Sequence, residues 1–130
     1  MANTQYPMKK DRPYDLQDRL IDYSVRIIKL TQALPDTKAG RHVAGQILRS
    51  GTSPAPNYGE AQSAESHADF IHKLKIALKE LRETEIWLKV VAKAEMIDLP
   101  SQLAPLLQET DELIAIFFTS VETAKKNNER

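Results

Sequence analysis

The residues of this chain that could do chemistry are few, and their spacing does not favour catalysis. A di-metal carboxylate site in a helical protein needs Glu-x-x-His on two helices and a further Glu from each of two others. Ala39 and Ala64 stand three residues before His42 and His67, and only Asp69 before His72 approaches the pattern. The His-Glu-x-x-His of zinc proteases does not occur. Gly40, Gly45, Gly51 and Gly59 build neither Gly-x-x-x-x-Gly-Lys nor Gly-x-Gly-x-x-Gly, so no phosphate cradle is encoded. With no cysteine, disulfides, thiol nucleophiles and cysteine-ligated zinc are ruled out. Ser, His and Asp are present, as in most soluble domains, but nothing marks the strained turn that exposes a nucleophile. The reading is a non-enzymatic protein with no catalytic residue, metal or cofactor.

Charge is more informative than nucleophiles. Lys73, Lys75, Lys79, Arg82, Lys89 and Lys93 are interleaved with Glu80, Glu83, Glu85 and Glu95. At a spacing of four, Lys79 with Glu83 and Glu85 with Lys89 attract, whereas Lys75 with Lys79 and Lys89 with Lys93 repel. Such a mixture is ordinarily a solvated, ion-paired face. Its functional reading is a phosphate-tracking ridge, in which Lys73, Lys75, Lys79 and Arg82 join Arg41 and Arg49 across two neighbouring helices. The whole chain is neutral, with 18 basic and 18 acidic residues, so any such footprint is local. A second constellation surrounds a proline pair: Asn57, Tyr58 and Glu60 follow Pro54 and Pro56, while Glu83 and Glu85 lie further along. A buried Asn or Glu must find a partner. A structural polar network of Arg49, Ser53, Asn57, Glu60 and Glu83 is therefore expected, its alternative use being a pocket for a small polar ligand or a nucleotide edge.

The elements that must position these groups follow from apolar periodicity. The 130 residues, 42% of them hydrophobic, are enough for one domain with a true core. Residues 1–12 read as a flexible arm, 13–125 as the folded unit and 126–130 as a frayed end. Leu16, Leu20, Tyr23, Ile27, Leu30 and Leu34 follow steps of three and four, which predicts a first helix ended by Pro35. Ile21, Val25 and Ile28 add a second apolar set: either one wide core stripe or a second face for a partner. The segment from Thr37 to about Gln62 predicts a second helix kinked at Pro54 and Pro56. Ser66 with Asp69 predicts the cap of a third helix running to about Ile97, along which Phe70, Leu74, Ala77, Leu81, Leu88 and Val91 share one stripe and Ile71, Leu78, Ile86, Trp87 and Val90 another. Ser101 is the expected cap of a fourth helix containing Leu103, Leu106, Leu113, Phe117, Phe118 and Val121, with Pro105 blurring its start. No segment alternates like a strand, so an all-α, up-and-down antiparallel four-helix bundle is expected. Apolar runs such as Leu113 to Phe118 are far short of the roughly 20 residues of a membrane helix, which points to a soluble, cytoplasmic protein.

Residues 46 to 88 carry a more specific pattern. Gln46-Ile47-Leu48-Arg49-Ser50-Gly51-Thr52-Ser53 is followed by Asn57-Tyr58, Glu60-Ala61, Ala64-Glu65-Ser66 and Ala68-Asp69-Phe70-Ile71-His72-Lys73-Leu74, then Ile76-Ala77-Leu78-Lys79-Glu80, Arg82-Glu83-Thr84 and Trp87-Leu88. Together these resemble the four-helix bundle proteins related to the 23S ribosomal RNA intervening-sequence protein. The resemblance implies a homopentamer without known enzyme activity, with nucleic-acid binding as the family's usual conjecture. It places Arg49, Ser53, Asn57 and Glu60 around the second-helix kink and Glu83 on the third helix. Pro54-Ala55-Pro56 departs from the family pattern at the kink, and the neutral charge departs from its strongly basic members. The expected partners are other copies of the chain, RNA or DNA, and, on an adaptor reading, another protein; none is a membrane.

Overall fold

A computed structural model describes residues 15–98 and 100–128. The expected arm, residues 1–12, lies outside them. Five helical segments are present: α1 (Leu16–Ala33), α2 (Lys38–Thr52), α3 (Pro54–Gln62), α4 (His67–Lys93) and α5 (Pro100–Asn128). Among the described residues there is no strand. Because α2 and α3 are two halves of one kinked helix, the architecture is an up-and-down antiparallel four-helix bundle. In it α1 packs on α2 and α3, and α4 packs on α2, α3 and α5.

Local chemistry explains the boundaries. Asp15, Thr37 and Ser66 are N-caps whose side chains accept from the Gln17, Gly40 and Asp69 amides respectively. Leu34 leaves the helical region ahead of Pro35, which ends α1. At the kink Ser53 keeps a helical backbone, but Pro54 and Pro56 cannot donate to the carbonyls of Ser50 and Thr52. Side chains staple the joint. Thr52 Oγ1 donates to the Leu48 carbonyl at 2.6 Å, and Asn57 Nδ2 donates to Ser53 O at 3.0 Å and Ser53 Oγ at 2.9 Å.

Three boundaries differ from expectation. Helix α4 ends at Lys93 rather than near Ile97, because Glu95 takes a positive φ of 54°. Met96 N donates to Val91 O and Glu95 N to Ala92 O, closing the helix with the hydrogen bonds usually built around a C-terminal glycine. Helix α5 starts at Pro100, so Ser101 is its second residue and not its cap. That helix also continues to Asn128, past the expected boundary at 125, and it runs through Pro105, whose exposed ring leaves Leu103 and Leu106 in the core on either side.

The core is the first stripe of each helix. Leu20, Tyr23, Ile27 and Leu30 of α1 meet Ile47 of α2, Leu74, Leu81 and Leu88 of α4, and Leu113 and Phe117 of α5, all buried. Burying each large apolar side chain contributes about 1.5–3 kcal/mol. Gly51 lets α1 approach, since a Cβ there would lie 2.8 Å from three atoms of Ile27. Among the described residues every buried hydroxyl has a partner. Thr110 donates to the Leu106 carbonyl, so Tyr23 must be the donor in the 2.6 Å bond between the Tyr23 and Thr110 hydroxyls that ties α1 to α5. Burial pushes the Tyr23 phenol well up from its ordinary value. Arg19 clamps the same two helices from outside, forking onto Glu109 at 2.7 and 2.8 Å and reaching Glu112 at 2.8 Å.

The second apolar set of α1 remains in solvent, whereas that of α4 is divided: Leu78 joins the core, Ile71 and Trp87 are half-buried, and Ile86 and Val90 are exposed. Ile21, Val25 and Ile28 of α1 are 48%, 43% and 40% exposed, and Ile86 and Val90 of α4 are 63% and 39% exposed. The alternative of one wide core stripe on α1 is thereby excluded.

Candidate functional site

Helices α2 and α4 do lie side by side, yet they do not gather the six expected cations into one ridge. Arg41 pairs with Asp36 at 2.8 Å at the start of α2. Arg49, on the α4-facing side of α2, donates to Glu80 at 2.9 Å and to Glu83. Lys73 donates to Glu60 at 2.7 Å across the α3–α4 contact. These three are locally neutralised, which removes them from a simple phosphate-binding surface. Lys75, Lys79 and Arg82 stand on the other flank of α4, toward α5, and among the described residues they form no ion pair.

That flank is the edge of an open groove between α4 and α5. Leu78 and Val121 lie at its base, and Lys125 adds a cation from α5. Phe118, half exposed, projects beside it with the Arg82 guanidinium 6.0 Å from the ring centroid. Among the described residues Glu122 is the one carboxylate lining the groove, and Lys125 sits 3.7 Å from it. Neither Lys125 nor Phe118 stands out in the sequence as a site residue. They are brought to α4 by the antiparallel return of α5, a tertiary relation with no local signal.

The expected polar network divides into three. Arg49 and Glu83 do meet, joined by Glu80 and by Trp87, whose Nε1 donates to Glu83 at 3.2 Å. The His42 ring lies edge-on to Trp87, with centroids 6.0 Å apart. Ser53 and Asn57 bond to each other at the kink, and Glu60 bonds to Lys73. The Arg49 guanidinium beside it holds the Glu83 carboxyl below the usual carboxylate range, and the Glu60 carboxylate pushes the Lys73 ammonium above its ordinary value. A carboxyl depressed in the folded state adds stability above its unfolded pKa, which is lost as pH falls through the folded value. Acidification below about pH 5 should therefore destabilise the wild type more steeply than Glu83→Gln. Parallel denaturant titrations between neutrality and acid check this; identical slopes would show that the Arg49 cluster does not contribute.

The histidines are spread out. His67 Nε2 donates to the Ala124 carbonyl at 2.8 Å, His42 contacts Trp87, and His72 is exposed. Among the described residues no group of three His, Asp or Glu could hold a metal ion, and no helix is long and apolar enough to cross a membrane.

Residues 14–118 match the family described as the 23S rRNA-intervening sequence protein. The chain belongs to that family. A solved structure from Bacteroides thetaiotaomicron, described as a protein of unknown function from the S23 ribosomal protein family, is similar to it. The TM-score is 0.76 at 36% identity, over 82% of this chain and 98% of that one. No curated protein matches. The resemblance read from residues 46 to 88 thus extends over most of this 23S rRNA-intervening sequence family member, including α1 and most of α5.

Proposed function

We propose that the protein is a non-enzymatic, cytoplasmic binding module that assembles with copies of itself and carries nucleic acid on the unpaired cations of α4. The observation that carries the reading is the exposed stripe Ile21, Val25 and Ile28. Three branched apolar residues one helical turn apart, unused by the chain's own core, form a contiguous face of the kind that marks an interaction surface. A covering surface exists on the same chain. Ile86 and Val90 of α4 are also exposed, and α4 occupies the corner of the bundle opposite α1. Two different faces at opposite corners suit head-to-tail contacts, which close into a ring when the rotation permits. The resemblance to the family supports five subunits.

Lys75, Lys79 and Arg82 support the nucleic-acid part, being cations that no carboxylate holds in an ion pair among the described residues. Repetition around a ring would multiply weak contacts through avidity. Light scattering on a sizing column, with absorbance at 260 and 280 nm followed across the peak, tests both parts. The expected result is a mass near five times 14.7 kDa, with RNA or DNA binding that weakens as salt rises. A monomer would overturn the assembly and favour an adaptor whose α1 face receives another protein. Affinity indifferent to salt would overturn the phosphate contacts.

A further inference from the structure

We propose that the groove between α4 and α5 is a site for single-stranded nucleic acid, in which Phe118 is the platform on which a base stacks while Lys75 and Lys79 hold the flanking phosphates. This deepens the nucleic-acid part of the function proposed above and rests on it. The groove is complete within one chain, so it does not depend on assembly.

Two adjacent phenylalanines of α5 have opposite surroundings. Phe117 is fully buried against the edge of Tyr58, with ring centroids 5.8 Å apart, whereas Phe118 is 49% exposed. Folding therefore uses only one of them. The exposed ring is bordered by cations: Arg82 lies 6.0 Å from its centroid, and Lys75, Lys79 and Lys125 continue along the same groove. Lys75 and Lys79 are one turn apart and Arg82 is about a turn further, so positive charge follows the groove for about 10 Å. A ligand matching this surface alternates anionic groups with flat aromatic ones. Sequence-tolerant single-strand sites use this pairing, a basic track with aromatic side chains beneath the bases.

The geometry disfavours a duplex in this groove. In a double helix the base faces are already stacked on each other, and an aromatic side chain reaches one only if a base is flipped or a step is wedged apart. In a single strand the faces are free. Arg82 fits both ligand groups, since a guanidinium stacks on aromatic planes and forks onto phosphate. Glu122 sets a limit on affinity, because its charge opposes the backbone unless Lys125 stays paired with it.

Fluorescence polarisation of the full chain with labelled oligo-uridine, oligo-thymidine and a duplex of equal length provides the test. Wild type should bind the single strands more tightly than the duplex. Phe118→Ala should weaken single-strand binding on the order of tenfold, the loss of one stacked base, and leave duplex binding unchanged. Phe118→Trp should retain the preference. Lys75→Gln with Lys79→Gln should weaken both ligands and flatten the single-strand salt dependence by about 0.7 in log–log slope for each phosphate no longer neutralised. If Phe118→Ala binds single strands as wild type does while the lysine variant is weakened, the stacking site is overturned and the basic surface survives. If neither ligand binds in a salt-dependent way, or polyglutamate displaces the single strand as well as unlabelled oligo-uridine does, the nucleic-acid reading falls with it.

Discussion

Phe117→Ala is expected to lower the melting temperature by about 10–20 °C, while Phe118→Ala, one residue along, shifts it by no more than about 2 °C. Truncating a fully buried aromatic costs about 3–5 kcal/mol, the lost transfer energy plus that of the cavity left behind. Phe117 also gives up its edge contact with Tyr58, which joins α3 to α5. A domain of this size has on the order of 5–15 kcal/mol to lose, so a single truncation removes a large share. Phe118 already has half its surface in water, and its truncation leaves no cavity. Thermal scans at one fixed protein concentration, needed because assembly adds to apparent stability, check the contrast. Equal shifts would mean that α5 is rotated about its axis from the orientation described.

That pair of residues also shows how far the sequence can be read. The stripe Leu20, Tyr23, Ile27, Leu30 and Leu34 was legible because a helix facing a core repeats every three or four residues. The cap Ser66 and the kink at Pro54 and Pro56 were legible because each is local backbone chemistry. Phe118, Ile86 and Val90 could not be separated from core residues in this way. Apolar periodicity says that a face avoids water without saying whether the chain itself or a partner covers it. The end of α4 was hidden for another reason: Glu95 takes the left-handed conformation that glycine usually provides, and a glutamate advertises no such role.

The candidate site divides along the same line. The residue types were visible, with Lys75, Lys79 and Arg82 standing out as cations on one segment. Whether a cation is free depends on what the next helix places against it. Arg49 and Lys73 look no different from Lys79 in sequence, yet Glu80, Glu83 and Glu60 cancel them across helix contacts separated by 13 to 34 residues. Pairing of this kind is a property of the bundle, and it moved the basic surface from the α2–α4 side to the α4–α5 groove.

Val25→Asp is expected to reduce the solution mass from that of the assembly to a single 14.7 kDa chain with helical content unchanged. Val25 is 43% exposed in the protomer, so an aspartate there stays hydrated and costs the monomer little. In an assembly the same carboxylate would be buried against an apolar face, at a cost of several kcal/mol. Ile86→Asp should do the same from the other face if contacts run head to tail. Mixing the two variants then makes a sharper test. The Val25→Asp chain keeps an intact α4 face, and the Ile86→Asp chain keeps an intact α1 face. One sound contact can form between them and no further subunit can add, so the mixture should run at twice the monomer mass. An interface made of two α1 stripes would behave differently, since Ile86→Asp alone would already run at twice the monomer mass and mixing would draw no Val25→Asp chain into a dimer. The light-scattering mass of Ile86→Asp alone, set beside that of the mixture, therefore separates a closing ring from a symmetric pair.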